Sequence, residues 1–187
     1  MSLFVAIRPD ENASADLEDA VGRVRRLPST QALRWQPSSQ WHVTVSFLGD
    51  VDDDEIVDDV AERLGALAAR APIRELRLVG AGCFGRQILW VGLAGDQALA
   101  ALTAMSAAIP SLVRGSGVRP DRRPWRPHLT IGRARHGDAG PAAAALAGYA
   151  GPPWDATSLL LIRSTGGPHP THRVAHEITL TGPGGPA

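Results

Sequence analysis

The chain has 187 residues, 44% of them hydrophobic, which is enough for one domain with its own core or for two small lobes. The formal net charge is zero, which excludes a general electrostatic attraction to nucleic acid or anionic membranes. All 19 basic residues are arginines, and this excludes a lysine Schiff base, a covalent lysyl–nucleotide intermediate and a P-loop lysine.

The chain carries one cysteine, Cys83, so an internal disulfide is excluded. The opening "MSLFVAIRPDE" has only a short apolar run before Arg8 and Asp10, and it does not resemble a signal peptide. We therefore expect a cytoplasmic monomer with no membrane span.

Hydrophobic spacing predicts the elements of the first half of the chain. They are a strand at 3–7, a helix at 15–27, a strand at 41–48, a helix at about 53–69, and a hairpin formed by 73–82 and 86–95.

The second half of the chain alternates in the same way between helical and extended patterns. The predictions are a helix at 97–112, an Arg- and Pro-rich loop at 114–127, a strand at 128–132, a small helix at about 138–148, and strands at 156–164 and 173–182. Residues 1–182 are predicted to form a single domain, and 183–187 a frayed tail.

Two strands share an approximate repeat. His42-Val43-Thr44-Val45 and His128-Leu129-Thr130-Ile131 have the same pattern 86 residues apart, and Trp and Pro precede each copy closely. This repeat predicts two similar lobes, each contributing one His-x-Thr strand at 42–45 or 128–131.

Side chains alternate across a strand, so each His shares one face with its Thr while the intervening apolar residues face the core. If the strands lie side by side, two imidazoles and two hydroxyls meet in one cleft. One imidazole can take a proton from water while the other gives one to a leaving oxygen, and the hydroxyls can donate to phosphate oxygens. This chemistry suits a strained 2′,3′-cyclic phosphate, and it requires no metal or other cofactor.

The stretches "HVTVSFLG" and "HLTIGR", together with "LFVAIRPDE" and "RPWRPHLTIGRAR", resemble the two-histidine (2H) phosphoesterase superfamily. The specific resemblance is to the RNA 2′,3′-cyclic phosphodiesterases, historically called 2′-5′ RNA ligases. It implies a bilobal α/β fold of the α+β type, with two antiparallel sheets, outer helices and pseudo-twofold symmetry around a central cleft. It also implies hydrolysis of RNA terminal 2′,3′-cyclic phosphates to 2′-phosphates, and for some members the reverse 2′-5′ ligation.

By this resemblance His42 is the proton donor to the 3′-oxygen and His128 the proton acceptor from water, while Thr44 and Thr130 hold the phosphate. The residues alone leave the direction of proton transfer open, because the two motifs look alike. Arg133 also matches the motif, and it either binds a phosphate or a base or is an ordinary exposed arginine. The implied partners are RNA with 2′,3′-cyclic phosphate ends or nucleotides.

Near the end of the chain the sequence departs from the family pattern, which often has Ser, Gly and Tyr there. Ser164 and Gly167 are kept, but His172 stands at the position usual for Tyr. A base-stacking role for that position is therefore in doubt.

Two other functions remain open. One is a non-catalytic module that binds nucleotides such as AMP. The other is a phosphodiesterase acting on small cyclic nucleotides or on an ADP-ribose cyclic phosphate.

Several further patterns favour structure over function. The run 80–85 fits G-x-G-x-x-G but precedes a strand, which predicts a hairpin loop and not a dinucleotide site. Asp50, Asp52 and Asp54 lack the later ligands of a calcium loop and fit a solvated helix start. Cys83 is expected to be an inert thiol, because its neighbours are apolar.

Two patterns could serve either role. His169, His172 and His176 could bind a metal by their spacing, but no convincing set completes them. Five arginines beside the second motif either guide an RNA backbone or form a solvated loop: Arg114, Arg119, Arg122, Arg123 and Arg126.

Overall fold

The computed structural model describes residues 1–69, 72–134, 137–165 and 171–181. The first half contains β1 (Ser2–Ile7), α1 (Glu11–Arg25), β2 (Leu33–Trp35), β3 (Val43–Asp50), α2 (Asp54–Ala68), β4 (Ile73–Phe84) and β5 (Ile88–Ala94). The second half contains α3 (Asp96–Leu112), β6 (His128–Ala134), α4 (Gly140–Ala145), β7 (Trp154–Ala156), β8 (Ser158–Ser164) and β9 (His172–Thr179). The tail predicted at 183–187 lies outside the described residues.

All strand pairs are antiparallel and follow the order β7-β4-β5-β6-β3-β1-β8-β9, with β2 paired to β6. Between β3 and β6 the ladder has one residue pair, Val43 with Leu129. The four strands on one side of this pair and the five on the other form the two halves of the molecule. The predicted α/β fold of antiparallel strands with outer helices is confirmed, and in the described residues its two halves form one continuous sheet joined at that single pair.

The helices cover one face of the strands. Helix α2 packs on β8 and β9, α3 on β3 and β4, and α4 on β4 and β5. Along β1, Leu3, Val5 and Ile7 enter the large core beneath the helices. Phe4 and Ala6 belong to a small separate cluster on the opposite face. The alternation within one strand thus separates a helix-covered face from the opposite face of the sheet.

The hairpin between β4 and β5 is confirmed, but the placement of its loop was wrong. Residues 80–84 lie inside β4, and of the three motif glycines only Gly85 lies in the turn. Gly80 has a φ of 57° at a register shift between the two strands. A Cβ at Gly82 would lie 2.4 Å from a ring atom of Trp90. These glycines therefore accommodate a bulge and an indole ring.

One further strand was not predicted, and two predicted elements differ in detail. The short strand β2 was missed, because three residues give no periodic signal. The small helix spans only Gly140–Ala145, and the strand predicted at 156–164 is divided into β7 and β8. No helix in the described ranges is both long and apolar enough to cross a membrane.

The acidic stretch before α2 starts a helix, as predicted. Asp53 is the N-cap, and its side chain accepts a hydrogen bond from the Glu55 amide at 2.9 Å. Asp54 in the first turn forms an ion pair with Arg163 at 2.6 Å. Asp50 accepts a hydrogen bond from Ser2 at 2.8 Å. These carboxylates therefore act in helix capping and surface pairing.

Candidate active site

The two His-x-Thr segments meet where the two halves of the sheet join. Since Val43 pairs with Leu129 in an antiparallel ladder, continuing the register by one residue brings His42 opposite Thr130 and Thr44 opposite His128. Both Val43 and Leu129 are fully buried on the helix-covered face. The four predicted side chains therefore form one group on the other face, with a strand spacing of about 4.8 Å between the members of each pair.

The two imidazoles are oriented by the same local device. Nδ1 of His42 lies 2.7 Å from the Gln40 carbonyl oxygen, and Nδ1 of His128 lies 2.7 Å from the Arg126 carbonyl oxygen. A carbonyl oxygen can only accept, so Nδ1 carries the proton in both rings. Nε2 of each ring is then left for proton exchange with a ligand. His42 directly precedes β3, and the turn Ser38–Gln40 presents its carbonyl partner.

His42 is partly buried beneath aromatic rings. Its ring stacks on Phe4 with centroids 5.0 Å apart, and the edge of His172 approaches it at 5.0 Å. Burial lowers the pKa of His42 to about 4, against the opposing effect of the Gln40 carbonyl. The positive charges of His172, Arg8 and His128 lower it further. At neutral pH the ligand-free protein therefore holds His42 in its neutral form.

His128 has different surroundings. Its ring meets the edge of Phe84 at a centroid distance of 4.7 Å. It borders a pocket of about 650 Å³ between β3, β4 and the loop before β6. Residues lining this pocket include Thr44, Phe47, Phe84, Ile88 and Trp125. The Trp125 indole donates a 2.8 Å hydrogen bond to the Thr44 carbonyl and so ties this loop to β3.

Arg133 is exposed and reaches the cleft from β6. The register between β5 and β6 shifts near Ile131, and a Cβ on Gly132 would approach the buried Leu89. Since Gly132 faces the core, Arg133 faces the same side as Thr130. The charges of Arg8 and Arg133 act on His172 and, after burial, help to lower its pKa. Arg133 therefore lies within electrostatic range of the site.

Sequence reasoning missed that Arg8 lies beside His42. Phe4 and Ala6 lie on the cleft face of β1, and alternation continues that face to Arg8. Ile7 pairs with Val43, so extending the register by one residue brings Arg8 opposite His42. The sequence alone gives no signal for this position, because Leu3 to Ile7 form a continuous apolar run without a period-two pattern. His172 was noticed in the sequence, but its contacts with His42 and Phe4 depend on the pairing of β9 with β8.

Two of the three histidines considered as metal ligands by their spacing, His172 and His176, lie on different faces of β9. His169 lies outside the described residues, and a register shift in β9 separates the faces of the other two. His172 contacts Phe4 on the cleft face, whereas His176 bonds Asp58 of α2 at 2.8 Å. His172 and His176 therefore cannot share a metal ion.

Cys83 is partly buried in β4, and burial followed by the charge of Asp138 raises the pKa of its thiol. This agrees with the prediction of an inert thiol.

The Arg-rich loop runs along β3. The Arg119 amide donates to the Leu48 carbonyl and the Asp121 amide to the Phe47 carbonyl, each at 2.9 Å. Arg123 pairs with Asp121, which offsets part of its charge. Arg123 and Arg126 line the pocket beside His128. Of the five loop arginines, these two therefore lie beside the second motif.

Comparison with known proteins bears on this geometry. The family model described as "2'-5' RNA ligase superfamily" matches residues 9–168. The chain belongs to this superfamily. An RNA 2′,3′-cyclic phosphodiesterase from Thermus thermophilus is 30% identical over 191 aligned residues, which cover 97% of this chain and 91% of the relative. A Geobacillus stearothermophilus protein of the same name is 33% identical over 109 residues, 56% of this chain and 33% of that protein. The chain thus spans about a third of the Geobacillus relative.

Solved structures show the same fold. A crystal structure of a Thermus thermophilus protein has a TM-score of 0.74 and 24% identity, over 97% of this chain and 99% of that chain. Escherichia coli LigT, crystallised with 3′-AMP, has a TM-score of 0.67 and 22% identity, over 96% of this chain and 98% of that chain. The predicted 2H phosphoesterase architecture is therefore confirmed.

Proposed function

We propose that this protein hydrolyses terminal 2′,3′-cyclic phosphates of RNA to 2′-phosphates by acid–base catalysis. The observation that carries the proposal is the group formed by His42, Thr44, His128 and Thr130 across the pair of Val43 and Leu129. The matched orientation of both imidazoles supports it, because each ring has Nε2 available for proton transfer. The names of the Thermus and Geobacillus relatives support the same substrate class.

The reaction balances with one proton accepted and one donated. Nε2 of His128 takes a proton from water as the water oxygen forms a bond to phosphorus. The bond between phosphorus and O3′ breaks, and Nε2 of His42 gives its proton to O3′. Thr44 and Thr130 donate hydrogen bonds to the non-bridging oxygens, and Arg133 adds a positive charge near them. Proton exchange with solvent then restores both histidines.

The donor role of His42 depends on the bound substrate. In the ligand-free protein its pKa of about 4 leaves it neutral at pH 7. A phosphate anion beside His42 offsets the repulsion from Arg8 and His172 and stabilises the protonated ring. The substrate thus supplies the charge that makes His42 an acid. If the anion failed to do so, His42 would be the base and His128 the acid.

The pocket beside His128 supports a second activity, reversible 2′-5′ ligation. With His42 at the ribose leaving group, attack comes from the side of His128. The adjoining space of about 650 Å³ is large enough for a nucleoside alcohol as well as for water, and Phe84 and Trp125 line it. In ligation His128 accepts the proton of the attacking alcohol and His42 donates to O3′. In the reverse cleavage of the 2′-5′ bond the two histidines exchange these roles.

RNA ends or nucleotides are the proposed partners. Since one chain supplies both His-x-Thr segments, we infer that the protein acts as a monomer. A substrate of this kind is met in the cytoplasm, where we propose that the protein works.

The test is hydrolysis of an oligonucleotide 2′,3′-cyclic phosphate, with the product identified by ³¹P NMR. We expect a 2′-phosphate from the wild type, a rate loss of about 10²- to 10⁴-fold for His42→Ala and for His128→Ala, and no effect of EDTA. His176→Ala is the matched control, because His176 pairs with Asp58 on the other face. Tight AMP binding by a wild type that turns over no cyclic phosphate would instead indicate a binding module.

A further inference from the structure

Two side chains beyond His42, Arg8 and His172, have no assigned role in this reaction. Arg8 is opposite His42 at the end of β1, and both Arg8 and Arg133 act electrostatically on His172. No acidic side chain in the described ranges forms an ion pair with Arg8 or Arg133. Like charges gathered in this way repel one another, and an anion relieves the repulsion.

Two polar atoms in this group also lack protein partners. Nε of Arg8 and Nδ1 of His172 are buried without a hydrogen bond from any described residue. A buried polar group without a partner costs roughly 1–3 kcal/mol. Two such atoms within one cationic group favour a ligand that is anionic and accepts hydrogen bonds, which are the properties of a phosphate.

We propose that Arg8 and His172 form a second phosphate subsite, which binds the phosphate on the 5′ side of the terminal ribose. This inference rests on the proposed function, because it takes the reacting phosphate to lie within the His42, Thr44, His128 and Thr130 group. With His42 at O3′, the ribose lies on the side of His42. Arg8 is one strand further out, about 4.8 Å away, so its guanidinium can meet a phosphate attached to that ribose.

The subsite gives the enzyme a preference for chains over single nucleosides. A dinucleotide with a 2′,3′-cyclic end has a linking phosphate for Arg8, whereas a nucleoside 2′,3′-cyclic phosphate has none. The wild type should therefore have a kcat/KM about 10-fold or more higher on the dinucleotide, as expected for one charge-assisted phosphate contact. Equal values for the two substrates would overturn the subsite without any variant.

Arg8→Gln tests the assignment to this side chain. We expect a loss of about 10- to 100-fold in kcat/KM on the dinucleotide and less than about 3-fold on the nucleoside substrate. Arg8→Lys should recover part of the loss, because lysine restores the positive charge but lacks the planar guanidinium that can donate two parallel hydrogen bonds. Arg173→Gln is the control, since it removes the same charge at an exposed neighbour of His172. Equal losses on both substrates, or none, would contradict the proposal.

A binding measurement separates this proposal from the catalytic one. If the wild type hydrolyses neither substrate, the proposed function fails, and calorimetry then compares adenosine 2′,5′-bisphosphate with 2′-AMP. The subsite predicts tighter binding of the bisphosphate by the wild type and loss of that advantage in Arg8→Gln. Equal affinities in the wild type would overturn the subsite. Thermal unfolding of Arg8→Gln and Arg8→Lys checks that both variants are folded.

Discussion

The two His-x-Thr segments share one backbone device but have different surroundings. In both, Nδ1 donates to the carbonyl two residues earlier at 2.7 Å. His42, however, stacks on Phe4 beside His172 and near Arg8, whereas His128 meets Phe84 at the mouth of a pocket. A repeated sequence motif therefore yields two imidazoles with the same orientation and different electrostatic environments. An acid–base pair needs such a difference, because one ring must give the proton while the other accepts it.

Replacing the two catalytic histidines should have the largest effect on the rate. If His42 and His128 act in one step, the double variant His42→Ala/His128→Ala should be no more than about 10-fold slower than either single variant, each down by about 10²- to 10⁴-fold. Rates of cyclic phosphate hydrolysis measure this. Additive losses would mean that the two rings act independently and would contradict their assignment as one acid–base pair.

Acid stability should next show the effect of burying His42. The folded pKa of His42 is lowered to about 4 from 6.5, so the unfolded chain binds its proton first as the pH falls. His42 therefore removes stability progressively between pH 6.5 and 4, by up to about 3 kcal/mol.

Urea unfolding across this pH range measures the effect. The variant His42→Gln should lose less stability than the wild type as the pH falls, and His176→Gln serves as the control. Parallel curves for His42→Gln and the wild type would show that the ring is not held neutral.

Replacing Thr44 and Thr130 in turn tests whether the two halves contribute equally to holding the phosphate. Thr44→Val and Thr130→Val keep the shape and remove a donor, so each should lower kcat/KM by about 10- to 100-fold through a lost bond to the charged phosphate. Steady-state kinetics measures both, and the fall should be mainly in kcat. A loss confined to one of the two would show that the phosphate is held by one half.

The smallest expected effect is on stability, and it concerns Trp125 in the Arg-rich loop before β6. Trp125→Phe removes the donor to the Thr44 carbonyl and should cost about 1 kcal/mol of stability. Urea unfolding gives this value. Trp35→Phe is a useful comparison, since Trp35 lies in β2 under Arg25 and outside the cleft loop. An unchanged stability for Trp125→Phe would show that the loop is not tied to β3 by this bond.

Much of the fold could be predicted from the sequence. Helix α2 has a clear helical periodicity, and β1 is a short apolar run ended by Arg8 and Pro9. The repeat at His42 and His128 indicated that two strands would meet. The pairing of Val43 with Leu129 could not be derived, since long-range register depends on packing of the whole sheet.

The same limit explains why the surroundings of His42 were not predicted. Arg8 and His172 come from strands far from both motifs, and only the pairing of β1 with β3 and of β8 with β9 brings them to His42. The bulge that turns Arg133 to the face of Thr130 was also not predictable, because it gives no signal in the hydrophobic periodicity of the sequence.

The central claim is that a bound phosphate turns the buried His42 into an acid, and an NMR titration of the histidine rings tests it most directly. In the ligand-free protein His42 should titrate near pH 4. With saturating 2′-AMP the pKa of His42 should rise by more than about one unit. The chemical shifts of the His176 ring should not change when the nucleotide binds. A His42 that still titrates near pH 4 with the nucleotide bound would contradict the donor role and assign the acid to His128.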